Sequence, residues 1–227
     1  MIITRTPFRV TLGGGGTDLP SFYEKHGGFI FAMGIDKYMY IAINPPGVDK
    51  KIRLHYSQSE VVDHVDQIRH ELAREALRLH GVVERMEVSS MADLPAGTGV
   101  GSSSCYLVGL LSALHSFRRD HVSLATIAEE ACHIELNVLK KGIGKQDQYM
   151  AAFGGLTELE IAKHGAVEVR PVQARGGAIA GFVGHTHIYY TGLVRDAQEV
   201  LATQNGAMKS TADKRAQVES SLLYIKD

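Results

Sequence analysis

The spacing of apolar residues changes several times along the chain, and each change predicts a new element. Residues 1–12 alternate between polar and apolar side chains, which reads as a strand. They run into the glycine loop Gly13–Gly16, followed by Thr17, Asp18 and a short helical segment near Pro20. Phe29 to Ile43 is rich in β-branched and aromatic residues, and Lys51 to Tyr56 alternates. Two further strands therefore flank a turn at Asn44-Pro45-Pro46-Gly47 and begin an antiparallel or mixed sheet. Val65, Ile68, Leu72, Ala76 and Leu79 recur at helical spacing and predict one amphipathic helix over 65–80, stopped by Gly81. Met86 to Met91 reads as a short strand.

Ser102 to Phe117 is the most apolar helical stretch and predicts a central buried helix. Ser123 to Leu139 opens with a capping arrangement and carries Ile127, Ala131, Ile134 and Val138 on one face, so it packs beside the first. Gly142 to Asp147 breaks this helix, Tyr149 to Phe153 resumes a short one, and Leu156–Ile161 with Ala166–Val172 forms a hairpin around Lys163-His164-Gly165. After Gly176-Gly177 the pattern predicts a strand over Phe182–Tyr190 and a helix over Arg195–Ala207. A domain boundary near 177 would divide residues 1–177 from 178–227.

Composition narrows the partners. The 24 Lys and Arg residues nearly balance the 25 Asp and Glu, for a formal charge of −1, which gives no basic surface for nucleic acid. With 44% hydrophobic and 22% charged residues the chain is globular. No run approaches the roughly 18 apolar residues of a membrane span, and the N-terminus carries Arg5 and Arg9 without an apolar signal core. The expectation is a cytoplasmic protein with no membrane partner. Cys105 and Cys132 both fall inside predicted helices, where buried thiols are expected rather than a disulfide or a Cys-based zinc site.

Candidate chemistry begins with Gly97 to Ser104, where glycines and serines open the apolar helix. Unpaired backbone N–H groups meet the positive end of the helix dipole there, which makes an anion site suited to a nucleoside triphosphate. No Lys follows the glycines, so this is not a Walker loop, and a helix cap with flexible glycines is the competing reading. Glu135 and Asp147 flank the bend at Gly142 and Gly144. Glu135 could share a metal with a serine hydroxyl, and Asp147 could act on an acceptor hydroxyl; ordinary solvated acids are the alternative. Arg9 and Asp18 lie on either side of the first glycine run, as a phosphate-facing cation and a sugar-hydroxyl acceptor, or else as a simple ion pair. His185 and His187 fall on one face of the strand expected there. No third ligand lies nearby, so two satisfied or exposed histidines is the simpler reading.

Three segments in fixed order resemble the GHMP small-molecule kinases. Pro95-Ala96-Gly97-Thr98-Gly99-Val100-Gly101-Ser102-Ser103 is similar to the family's phosphate-loop pattern P-x-x-x-G-[LV]-G-S-S. Thr6-Pro7-Phe8-Arg9 with Gly14-Gly15-Gly16-Thr17-Asp18 resembles the acceptor-site motif, and Gly142 to Tyr149 resembles the segment bearing the catalytic aspartate. Gly13–Gly16, Leu19-Pro20 and Asp36-Lys37-Tyr38 resemble the heptose 7-phosphate kinase branch.

The resemblance implies an α+β N-terminal lobe like ribosomal protein S5 domain 2, with a mixed or antiparallel sheet and packed helices, followed by the start of a ferredoxin-like C-terminal lobe. It implies an ATP- and Mg²⁺-dependent kinase acting on a sugar hydroxyl, the anomeric hydroxyl of a heptose 7-phosphate first of all. The alternatives are a fucose or galactose type, or a nucleotide-binding module without catalysis. Carried over by residue, it implies Asp147 as base and Arg9 as its ionic partner. Pro95, Gly97, Gly99, Gly101, Ser102, Ser103 and Ser104 would cradle the nucleotide, with Ser103 and Glu135 on Mg²⁺. Gly15, Gly16, Thr17 and Asp18 would contact the sugar, and Arg195 its existing phosphate. Nothing matches the family's third, glycine-rich motif, so the expectation is a chain truncated in its second lobe, with a sugar or sugar phosphate as partner and a homo-oligomer as one way to cover the surface left open.

Overall fold

The computed structural model describes residues 1–174, 176–189, 191, 192, 206 and 212–226. Its centre is β2 (Gly28–Asn44), a long strand that lies against β1 (Ile2–Gly13) along one edge. The other edge of β2 is shared. Met33 faces Val10 of β1 and Leu156 of β6 (Leu156–Ile161), while Met39 faces Thr6 of β1 and Ala92 of β5 (Met86–Ala92). β3 (Ile52–His55) runs parallel to β5, β4 (Ser59–Val62) pairs with β3, and β7 (Val167–Pro171) closes the far side on β6. The sheet is therefore mixed, as the strand pattern predicts.

α3 (Ser102–Arg118) crosses the sheet as the central helix. Cys105, Leu107, Leu110, Leu111 and Leu114 are fully buried against Phe8, Ile41, Ile43 and Leu77. Close approach needs a small residue on the helix: a Cβ at Gly109 would lie 2.9 Å from the Thr6 hydroxyl and 3.0 Å from Ile41. The Thr4 hydroxyl donates to the Gly109 carbonyl at 2.8 Å. Cys105 and Cys132 are both free and buried, and burial pushes both thiols up, as inert core cysteines.

Several elements differ from the periodicity. The single helix expected over 65–80 is a 3-10 turn at Val65–Gln67 and then α2 (Glu71–Leu79). Glu60, buried in β4, accepts from the Arg69 and His70 amides at 2.7 and 3.1 Å, which holds those two residues out of the helix. His70 instead caps α2 through Ala73 N–H. The helix expected over 123–139 is α4 (Leu124–Cys132), followed by a wider π turn at His133–Val138. α5 (Gln146–Phe153) begins three residues before the predicted Tyr149.

The strand expected over 182–190 is overturned. Ala178–Gly184 is helical (α6) and His185 follows it without a strand, because a short apolar run fits either period and no strand among the described residues pairs with it. His185 and His187 accordingly do not share a strand face. The helix expected over 195–207 falls outside the described residues, Gly206 excepted. α7 (Ala212–Lys226) was not predicted; its Leu222 packs on Phe22 of α1 (Pro20–His26), and Glu219 pairs with Lys25 at 3.1 Å. No helix among the described residues is long and apolar enough to cross a membrane.

Candidate active site

β1 carries a register shift between Pro7 and Arg9, which turns Phe8 into the core and brings Arg9 to the phosphate-loop candidate. The Arg9 amide donates to the Val100 carbonyl at 3.3 Å, and its Nη1 donates to the Gly99 carbonyl at 2.8 Å. Its Nε donates to Asp147 Oδ1 at 2.6 Å, and Nη2 pairs with the same carboxylate. The partner of Arg9 is thus Asp147, not Asp18, and the fork of one guanidinium ties the glycine loop to the carboxylate.

The loop itself holds left-handed backbone at Gly97, Gly99 and Gly101, where a side chain would be strained. Gly101 is the N-cap of α3, and no side chain caps that helix. The Ser102 hydroxyl oxygen is buried without a hydrogen-bond partner. Uncapped N–H groups beside an orphaned hydroxyl fit an anionic ligand better than a closed structural cap. Pro95 precedes the loop and its carbonyl accepts from Thr98 at 3.0 Å.

Glu135 is fully buried, carried inward by the π turn, in which Leu139 N–H reaches back to the Ile134 carbonyl and Lys141 N–H to the Glu135 carbonyl. Ser104 and Gln148 donate to its Oε2 at 2.6 and 2.7 Å. Ser103 donates to Oε1 at 3.1 Å, and the Lys141 ammonium lies 3.4 Å from that oxygen. Ser103 is exposed while Ser104 is buried. Ser103 and the more loosely held Oε1 therefore form the oxygen pair that a hard divalent ion would take, a donor set that Mg²⁺ would fit.

Asp18, only 2% exposed, sits behind Asp147. Its Oδ2 accepts the Gln146 N–H at 3.0 Å, at the first turn of α5, so one buried carboxylate caps the helix that carries the other. Burial first, and then the nearby Asp147 charge, raise the Asp18 pKa to about 6 against the opposing hydrogen bond from Gln146. Gly144 makes this possible: a Cβ there would fall 1.9 Å from Asp18 Oδ2. The Thr17 side chain faces inward, with its hydroxyl 2.8 Å from the Gly14 carbonyl and 2.7 Å from that of Phe29, and it braces the first glycine loop. Gly16 is buried and Gly15 exposed beside it.

Of the predicted site residues, the structure brings together Arg9, Asp147, Gly99, Gly101, Asp18, Ser103, Ser104 and Glu135. Arg195 lies outside the described residues. Sequence reasoning did not single out Gln148, Lys141 or Gly144 for these roles. For Gly144 the signal was its place directly ahead of α5.

Residues 63–155 match the family described as GHMP kinases N terminal domain. The matched segment contains the phosphate-loop candidate, Glu135 and Asp147, while Arg9 and Asp18 precede it. The chain is 26% identical over 220 residues to a D-glycero-alpha-D-manno-heptose 7-phosphate kinase of Campylobacter jejuni, covering 91% of this chain and 64% of that protein. A crystal structure of a D-glycero-D-manno-heptose 1-phosphate kinase from Bacteroides thetaiotaomicron aligns with TM-score 0.71 at 25% identity, over 77% of this chain and 61% of that one. The Methanococcus jannaschii mevalonate kinase shares the fold, with TM-score 0.64 at 16% identity over 100% of this chain and 73% of that one. The chain spans less than two thirds of the length of the two heptose kinases. These three similar proteins are all named kinases, and the mixed sheet with packed helices matches the fold of the two solved structures.

Proposed function

We propose that the protein is a sugar kinase that transfers the γ-phosphoryl group of ATP to a hydroxyl of a heptose phosphate, the anomeric hydroxyl of D-glycero-D-manno-heptose 7-phosphate first of all. The observation that carries the reading is Arg9 bound at once to Asp147 and to the Gly99 carbonyl, which sets a carboxylate beside a glycine-rich helix N-terminus.

In this reading the glycine loop and the first N–H groups of α3 receive the nucleotide phosphates, with the Ser102 hydroxyl as an added donor. Asp147 accepts the proton of the acceptor hydroxyl as its oxygen bonds to the γ-phosphorus and the bond to ADP breaks. An anomeric hydroxyl is more acidic than an ordinary alcohol, so one aspartate suffices without a covalent intermediate. Arg9 fixes the direction of that carboxylate, the exposed Gly15 of the first glycine loop faces the sugar, and the buried Asp18 supports the start of α5 from behind rather than touching sugar hydroxyls. Ser103 and Glu135 would hold Mg²⁺, which supplies charge neutralisation at the phosphates. Arg195 is assigned to the substrate's existing phosphate. Residues 1–177 are assigned to the nucleotide- and substrate-binding lobe, and 178–227 to the beginning of a second lobe.

The test is ATP consumption with Mg²⁺ against heptose 7-phosphate, heptose 1-phosphate, free heptose, fucose, galactose and mevalonate. Turnover with a heptose phosphate that falls by about 10² or more in Asp147→Asn, with ATP affinity retained, is expected. Bound ATP with no turnover on any sugar would favour a nucleotide-binding module instead.

A further inference from the structure

A second group of ligating side chains lies at the other end of α3, away from the phosphate loop. His80 caps the C-terminus of α2, His115 lies in the last turn of α3, and Glu130 projects from α4. Thirteen residues of helix separate Ser102 from His115, about 20 Å at the α-helical rise. The His115 Nε2 lies 2.8 Å from Glu130 Oε2, the His80 Nε2 lies 3.8 Å from the same oxygen, and the three donor atoms all fall within 4.8 Å of one another. We propose that His80, His115 and Glu130 form a binding site for a divalent transition-metal ion of the zinc class.

Four observations support the site. Both histidines are 7% exposed, and the Nε2 of His80 is buried with no hydrogen-bond partner, pointing at Glu130. An ion pair between His115 and Glu130 would leave that nitrogen unsatisfied at the cost of its desolvation, whereas a shared ion uses its lone pair. Tetrahedral zinc with ligand bonds near 2.1 Å sets its donors about 3.4 Å apart, between the 2.8 and 3.8 Å separations already present. The C-terminal ends of α2 and α3 converge here, and the negative ends of both helix dipoles favour a cation. Finally, Glu130 and Leu79 line an open cleft of about 1160 Å³, which gives an ion and a water ligand their way in; that cleft includes neither Arg9 nor Asp147.

Further charges stand around the ligands. Arg118 donates to the His80 carbonyl at 3.0 Å and pairs with Asp120 at 3.0 Å, and Asp120 Oδ2 stands 3.9 Å from the His115 Nδ1. That separation is beyond hydrogen-bond distance, and the His115 Nδ1 is a second buried ring nitrogen here without a hydrogen-bond partner. The site would fasten α2, α3 and α4 at one point. Beside Glu130, Glu129 holds the Lys145 ammonium at 3.0 Å and the Tyr149 hydroxyl, on either side of Asp147. An ion here therefore stiffens the helical layer behind the candidate catalytic loop.

The experiment uses the full chain freed of metal by a chelator and titrated with Co²⁺, then Zn²⁺. One Co²⁺ per chain with a visible absorption band, displaced by Zn²⁺ and unaffected by a large excess of Mg²⁺, is expected, together with a higher melting temperature in Zn²⁺. His80→Gln and Glu130→Gln should each weaken binding by about tenfold or more, while His64→Gln, at an exposed histidine, should not. Far-UV circular dichroism of the metal-free forms establishes folding, and Glu130, at the cleft edge, gives a variant that spares the two buried rings. The absence of a saturable single site in the unaltered chain, or equal binding by the folded Glu130→Gln form, overturns the proposal.

Discussion

The Nε of Arg9 donates to Oδ1 of Asp147 across 2.6 Å, joining the end of a register shift in β1 to the first turn of α5. The same guanidinium reaches the Gly99 carbonyl at 2.8 Å. A lysine keeps the charge but has no planar fork to make both contacts. Arg9→Lys should therefore lower kcat by about tenfold or more with a smaller change in ATP affinity, as read by steady-state ATP consumption and calorimetry. An unchanged kcat would mean that the arginine does not position Asp147.

Gly144 is the point at which backbone and carboxylate meet. With a Cβ at 1.9 Å from Asp18 Oδ2, Gly144→Ala must displace either Asp18 or the start of α5. The expected cost is about 1–3 kcal/mol in denaturant unfolding, accompanied by loss of turnover larger than that of a surface control. Wild-type stability and rate in this variant would show that the segment yields freely.

Asp18 gives a pH dependence whose sign is fixed. Its proton leaves the unfolded chain near the ordinary 3.8 but leaves the folded protein near 6, so folding takes up a proton between those values. The stability it contributes is full below pH 3.8 and is lost as pH rises through 6, about 3 kcal/mol in all. Asp18→Asn keeps an oxygen for the Gln146 N–H and cannot ionise. Relative to the unaltered chain it should gain stability between pH 4 and pH 8, measured by urea unfolding at both. A difference independent of pH would place the Asp18 titration at its ordinary value.

Glu135 separates a structural role from a metal-binding one. Glu135→Gln preserves shape but turns an amide donor toward Ser103, Ser104, Gln148 and Lys141, all of which face the carboxylate. A stability loss of about 1–3 kcal/mol is expected, with an approximately tenfold rise in the Mg²⁺ needed for half-maximal turnover. A drop in melting temperature with unaltered Mg²⁺ dependence would leave Glu135 as a core carboxylate alone.

Local pattern was enough where local physics decides. The alternation of residues 1–12, the apolar stretch from Ser102 and the glycines at 97, 99 and 101 made β1, α3 and a glycine loop at its start legible in the sequence; the left-handed backbone of that loop is seen only in the structure. It was not enough where a distant residue intervenes. The Glu60 carboxylate interrupts the helix expected over 65–80 through two backbone amides, and nothing in the period of Val65, Ile68 and Leu72 records that contact. The run from Phe182 failed for a different reason, since a short apolar segment satisfies both periods and only pairing partners choose between them.

At the site, residue types and their order in the chain marked Arg9, Asp18, Ser103, Glu135 and Asp147, because glycine loops and isolated acids beside helix breaks are unusual enough to see in one dimension. Which of them touch was decided by the tertiary structure. Arg9 could have paired with Asp18, nearby in sequence, yet it pairs with Asp147, while Asp18 turns to the amide of Gln146. The physical reason is burial: Asp18 is enclosed against Gly144 and the start of α5, where an amide donor costs less to supply than a charged side chain, while Arg9 is left partly exposed, where its guanidinium can hold a carboxylate and a loop carbonyl together.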